Sequence, residues 1–251
     1  MDKAIDKGKH QVEIFGFNVN ATIENLSIND QKQIVNTINP HSYCISRKDE
    51  LFNEALHHSD YLLPDGVGIV LASKFLKGKS IKKIAGYDVF LHLMQILNEN
   101  NGSCFFLGAS EKTLEMIKAK ASKEYPNITL NTYSPPYKPS FTQEDSAKMC
   151  AMVNQHKPDV LFVGMTAPKQ EKWVYSFKQN LDAKVICSIG AVFDFYAGNV
   201  KRPNKIWIKM GLEWLPRFLK EPRRLAERNL VSTPKFIFEM LSYKLFNKSC
   251  L

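Results

Sequence analysis

Three short apolar runs, each closing on a glycine, constrain the fold of this chain more than any other feature: Cys104-Phe105-Phe106-Leu107-Gly108, Val160-Leu161-Phe162-Val163-Gly164 and Val185-Ile186-Cys187-Ser188-Ile189-Gly190. Runs without polar alternation suit strands covered on both faces, as in a parallel sheet between helical layers. Ser110 follows the first run as a helix N-cap, and the periodic stretch from Glu111 to Tyr125 stops at Pro126, giving a strand, glycine turn and helix. Helical patterns over Phe141 to His156 and Lys169 to Gln179 separate the successive strands. The expected fold class is therefore α/β, a Rossmann-like, mostly parallel sheet flanked by helices. Ligands bind such sheets beyond the carboxyl ends of the strands, where a glycine either admits a ligand to the backbone or only makes the turn. Nearer the front, Glu13 to Asn18 and Asn20 to Ile23 read as a short hairpin or two edge strands. Pro135, Pro136 and Pro139 mark a surface loop.

Charge divides the chain. From Val200 to Leu251 there are 12 Lys and Arg against 4 Glu, so of the overall +9 only +1 belongs to everything before Val200. The expected organisation is an α/β core over residues 1–199 and a basic, amphipathic helical appendage over 200–251. In the appendage Trp207, Met210, Trp214 and Phe218 recur at helical spacing among Lys205, Lys209, Arg217 and Lys220. Phe236, Ile237, Met240, Leu241 and Phe246 follow on a last helix. Such a segment either lies in a membrane interface, drawn by anionic lipid, or packs on the body as ordinary core. No uninterrupted apolar stretch approaches the ~18 residues of a spanning helix. Met1 to His10 lacks the apolar segment of a secretory leader, so the expected location is cytoplasmic. The five cysteines are scattered without a CxxC pair, which points to reduced thiols and neither zinc nor a disulfide framework. Nucleic acid is a poorer match than lipid, since the body is neutral and no binding motif is present.

The residues that can carry chemistry sit at strand ends. In Tyr61-Leu62-Leu63-Pro64-Asp65-Gly66-Val67-Gly68 a single carboxylate stands between an apolar strand and a glycine-rich turn. Asp65 is placed either to take a proton from a sugar hydroxyl or to cap the helix that begins near Val67. Thr37 and Asn39, before Pro40, offer neutral hydrogen-bonding groups suited to a sugar, although Asn-Pro also starts turns. Gly164 to Glu171 leaves a strand and enters a helix whose exposed N–H groups favour an anion, with Lys169 and Gln170 pointing from its start or merely solvated there. Asp194, among aromatics, reads as a buried cap or a catalytic residue. There is no GxGxxG, no GxxxxGK[ST] and no Asp-x-Asp, so a leaving diphosphate would rely on cationic side chains.

Together these segments resemble the WecG/TagA/CpsF glycosyltransferase family, over about Phe15 to Phe236. The resemblance rests on Thr37-x-Asn39, Pro64-Asp65-Gly66-x-Gly68, Gly86-x-Asp88, Ala167-Pro168-Lys169-Gln170-Glu171, Gly190-x-x-Phe193-Asp194, and Gly211-Leu212-Glu213-Trp214 followed by Glu221-Pro222-x-Arg224. It implies an inverting, metal-independent transfer from a UDP-sugar to a polyprenyl-diphosphate-linked acceptor on the inner membrane surface, with no cofactor and no nucleic acid. It gives Asp65 the place of the general base and Thr37, Asn39 and Gln170 the places of polar pocket residues. Arg217, Arg224 and Arg228 fall in the appendage that closes over the diphosphate and docks on the membrane. Self-association through the body is also implied. Where many relatives carry arginine, this sequence has Lys83, which keeps the charge but loses the bidentate fork. Two other readings stay open: a membrane-recruited nucleotide-binding module without transferase activity, and a nucleic-acid binder.

Overall fold

A computed structural model describes residues 10–200, 207, 215, 218–219 and 222–247, without the side chains of Arg224 and Asn247. Its centre is a six-stranded sheet made of β3 (Gln33–Ile38), β4 (Tyr61–Pro64), β5 (Ser103–Gly108), β6 (Thr129–Tyr133), β7 (Val160–Gly164) and β8 (Val185–Ser188). The order is β4-β3-β8-β7-β5-β6 and every neighbouring pair is parallel, as the apolar runs require.

Helices cover both faces. On one, Phe90, Leu93 and Leu97 of α4 (Gly86–Glu99), Leu114 and Ile117 of α5 (Glu111–Glu124), and Phe193 and Tyr196 of α8 (Val192–Ala197) pack over Val35, Cys104, Phe106, Phe162 and Cys187. On the other, Met149 and Val153 of α6 (Gln143–Asn154) and Trp173 and Val174 of α7 (Lys169–Phe177) cover Ile34, Phe105, Leu161, Val163 and Ile186. Alternate residues of β7 thus feed opposite cores, and each large side chain so buried contributes about 1.5–3 kcal/mol. A third core gathers at the β4 edge from α1 (Pro40–Ser46), α2 (Glu50–His57), α3 (Val67–Lys77) and a separate hairpin, and is closed by Phe236.

That hairpin pairs β1 (Gln11–Ile14) with β2 (Phe17–Asn20), which corrects the sequence reading: the break falls at Phe15-Gly16, not at Val19. Both turn residues have positive φ, 52° and 85°, the two-residue geometry that matches strand twist, and the Gly16 N–H donates to Glu13 Oε1 at 2.8 Å. β6 had no apolar run to announce it. It is an edge strand with partly exposed side chains.

Helix starts are set locally. Asp49 caps α2, Ser110 caps α5, and Thr142 with Asp145 forms a reciprocal box at α6. Past the core, α9 (Pro222–Ala226), a π-helical turn (Glu227–Ser232) and α10 (Thr233–Asn247) return to the third core. Cys44, Cys104, Cys150 and Cys187 are buried free thiols. Among the described residues no helix is long and apolar enough to cross a membrane.

Candidate active site

The carboxyl ends of β4, β3, β8 and β7 are adjacent, and the loops leaving them carry most of the residues singled out from the sequence. Asp65 follows the last residue of β4. Its N–H donates to Ile38 O at 2.9 Å, and the Ile84 N–H donates to Pro64 O at 2.9 Å, so backbone on both sides fixes where the carboxylate emerges. The N-cap of α3 is Gly66, at φ +111°, so Asp65 stands one residue ahead of the cap position that the sequence offered it. Gly68 is needed for closeness: a Cβ there would lie 2.4 Å from Pro40 Cγ. The Asp-Gly-x-Gly pattern therefore lets the β4–α3 turn press against the start of α1.

Thr37 lies in β3 opposite Leu63, and Asn39 comes just after the strand. Asn39 Oδ1 accepts from the N–H groups of His41 and Ser42, both at 3.0 Å, while the Asn39 N–H donates to Ser42 Oγ at 2.8 Å. Its carbonyl caps α1, and its amide nitrogen is the group with which it can donate to a ligand. Lys83 precedes Ile84, whose bond to Pro64 brings this loop beside Asp65.

Gln170 is buried at the start of α7. It accepts from the Met165 N–H at 3.2 Å and donates to Glu171 Oε1 at 2.9 Å. A Cβ on Gly190 would be 3.5 Å from that amide, so Gln170 braces the β7 loop against the β8 turn. Lys169, half-buried at the same helix start, donates its ammonium to Lys138 O at 2.7 Å and lies over the Phe141 ring. Gly108 and Gly164 serve protein packing: a Cβ on the first would be 2.4 Å from Gly164 O, and on the second 2.4 Å from the Phe193 ring. Asp194 is exposed in the first turn of α8 and accepts from Asn199 Nδ2 at 3.3 Å, so the buried-cap reading is corrected.

Three buried polar residues beside the rim escaped sequence reasoning. Glu171 is 4% exposed, and burial pushes its carboxyl up to about 7 against the hydrogen bond from Gln170. Its Oε2, Ser188 Oγ and Asn36 Oδ1 are buried without a hydrogen-bond partner. Val35 pairs with Cys187, so Asn36 and Ser188, next in register, share the face that α7 covers. For Asn36 and Ser188 the sequence signal was polarity within otherwise apolar runs; Glu171, in a polar first helical turn, gave none.

The carboxyl-terminal segment reaches this region through α1. Ser232 Oγ is 2.8 Å from His41 Nδ1, Cys44 Sγ meets Ser232 O, and the Tyr43 hydroxyl donates to Glu239 Oε2 at 2.7 Å. Burial holds the His41 imidazole below its ordinary pKa, the positive charge of Arg228 adds to this, and Glu227 opposes it. Arg228 is thus close to the first turn of α1, two residues from Asn39. Arg224 stands on α9, while Arg217 and Trp214 lie outside the described residues; Trp207 is exposed. Phe236 and Met240 face the body, but Ile237, Leu241 and Phe246 are exposed.

Chemically, a strand-end rim that combines a carboxylate on a fixed backbone with neutral polar neighbours and basic residues is able to take a proton from a hydroxyl beside an anionic group. The chain belongs to the glycosyl transferase WecG/TagA/CpsF family, whose model matches residues 10–250, and it is a glycosyltransferase. It is 30% identical over 236 residues, 92% of this chain and 90% of the relative, to an N-acetylglucosaminyldiphosphoundecaprenol N-acetyl-beta-D-mannosaminyltransferase of Bacillus subtilis. Proteins of the same description from Bacillus spizizenii and Staphylococcus aureus are 28% and 27% identical over 208 residues, 83% of this chain and 78% and 79% of theirs.

Proposed function

We propose that this glycosyltransferase moves a hexose or hexosamine, of the N-acetylmannosamine type, from a UDP-sugar to an undecaprenyl-diphosphate-linked sugar in the assembly of an envelope polysaccharide. The position of Asp65 carries the reading: a carboxylate fixed by backbone bonds at the carboxyl end of β4, flanked by Thr37, Asn39 and the Lys83 loop. Asp65 takes the proton of the acceptor hydroxyl as that oxygen bonds to the anomeric carbon, while the bond from that carbon to UDP breaks and the configuration inverts. The leaving diphosphate is met by Arg217, Arg224, Arg228 and Lys83 and by helix N-termini at the rim, without a divalent cation. Support for the last point is the lack of an Asp-x-Asp clamp in the sequence. The acceptor class is supported by the names of the relatives. Residues 200–251 act as the appendage, holding the enzyme peripherally on the inner membrane face; the docking of α10 on α1 through Glu239 and Tyr43 and the exposed apolar residues of α10 support this. UDP release from a panel of UDP-sugars, with a short-chain diphosphate-linked N-acetylglucosamine acceptor and EDTA present, tests the proposal. Acceptor-dependent release with one donor is expected. UDP binding with no release from any donor would favour a binding module.

A further inference from the structure

Helix α3 is amphipathic, and its outer face is partly open among the described residues. Ile69, Ala72 and Ser73 are buried, whereas Val67, Leu71 and Phe75 form an i, i+4, i+8 stripe of exposed side chains, Leu71 at 53%. This stripe is beside α10. The Phe236 ring sits near Gly68, and the Lys244 ammonium bonds to Phe75 O and lies 4.8 Å from the centre of the Phe75 ring. α10 carries its own exposed row of Ile237, Leu241 and Leu245, the last at 73%. The charges around α3 have one sign: Gly66 to Tyr87 contains five lysines and no carboxylate. Lys74, Lys79 and Lys82 are exposed, while Lys77 pairs with Glu13.

We infer that the outer face of α3, together with the lysines that follow it, is a second bilayer-contacting surface, one that belongs to the catalytic body and lies alongside α10 on an anionic lipid leaflet. Apolar side chains ringed by lysine suit the boundary between headgroups and acyl chains. A second copy of this chain suits it poorly, because a two-fold contact would set the same lysines against each other. α3 begins two residues after Asp65, so seating α3 on the leaflet sets the candidate base at the membrane, where a lipid-linked hydroxyl arrives without leaving it. This deepens the proposed function and rests on its lipid-linked acceptor.

The test uses the full chain. A Leu71→Glu/Lys74→Glu variant and, as a change confined to exposed loop charges, a Lys79→Gln/Lys82→Gln variant are compared with the unaltered protein in co-sedimentation with vesicles of phosphatidylglycerol and phosphatidylcholine. The first should bind anionic vesicles on the order of tenfold more weakly, and the second several-fold more weakly with a shallower salt dependence. Turnover on a water-soluble short-chain acceptor should stay unchanged, while turnover on a vesicle-embedded long-chain acceptor falls with binding. Unchanged vesicle affinity in both variants would overturn the inference. So would dissociation of a wild-type oligomer by the first variant with vesicle binding intact, since the face would then be a contact between copies. Absence of transfer by the unaltered protein on either acceptor would instead count against the proposed function, leaving the vesicle measurement to decide the surface.

Discussion

Replacing Glu171 with Gln removes a proton-binding site from the interior and should change how stability depends on pH. In the folded chain burial raises this carboxyl to about 7 from an ordinary 4.5. Below about 4.5 the group is neutral whether the chain is folded or unfolded. Between the two values the folded chain holds a proton that the unfolded chain has lost, so stability falls as pH rises, and above about 7 the loss is complete. The separation corresponds to roughly 3 kcal/mol. Glutamine has the same shape, is neutral throughout, and its amide oxygen can still accept from Gln170 Nε2. The stability of Glu171→Gln relative to the unaltered protein should therefore increase by roughly 3 kcal/mol between pH 4.5 and 8, or about 6–12 °C in Tm for a chain of this size. Urea unfolding and thermal melts of both proteins across that range measure the difference, and other titrating groups cancel because both proteins carry them. A difference that stays constant with pH would refute the argument and mean that burial does not shift Glu171, which then titrates in the folded protein as it does in the unfolded chain, near 4.5.

Asp65→Asn should lower sugar transfer by about 10²–10⁴-fold at unchanged Tm, and full turnover by the folded variant would remove Asp65 from the role of base. Gly68→Ala puts a methyl group 2.4 Å from Pro40 and should cost about 1–3 kcal/mol by forcing α3 away from α1, read as a lower urea midpoint. Phe236→Ala empties a fully buried ring site of the third core at a cost of about 3–5 kcal/mol, and limited proteolysis should then cut the segment after residue 222 faster than the body.

The parts of the fold that the sequence made legible are those where burial is total. β5, β7 and β8 are covered on both faces, so each strand is an unbroken apolar run, and helices α5, α6 and α7 stand within a few residues of their expected bounds. β6 has one neighbour and partly exposed side chains, so tertiary pairing decides its structure more than its own pattern. At the hairpin, Gly16 with φ +85° and Phe15 with φ +52° place the turn; an aromatic residue at positive φ is rare enough that the pattern alone missed it. In the proposed site, Asp65 stood out because an isolated carboxylate between an apolar strand and two glycines is unusual. Glu171 did not: a glutamate in a first helical turn normally faces water, and only the packing of α7 on the sheet shows this one to be enclosed. The partner of Lys169, the carbonyl of Lys138, is 31 residues away in sequence, so the local pattern does not show it.

The three residues Asn39, Pro40 and His41 make one mechanical unit of parts that the sequence presents separately. Asn39 caps α1 at the polar rim, Pro40 takes up the space that Gly68 leaves at the start of α3, and His41 meets Ser232 of the carboxyl-terminal segment. Asp65 is tied to the same point by its bond to Ile38 O, immediately before Asn39. A displacement of the carboxyl-terminal segment therefore reaches Asp65, the proposed base, through a single turn of α1, not through the length of the sheet. Binding of that segment to a membrane and the placement of Asp65 should accordingly be coupled. Ser232→Ala removes the side chain that meets His41 while leaving Phe236 and the third core in place. If the coupling runs through α1, anionic vesicles should raise the turnover of the unaltered protein, and this variant should bind the vesicles equally well without that rise; an equal rise in both proteins would mean that the segment and Asp65 act independently.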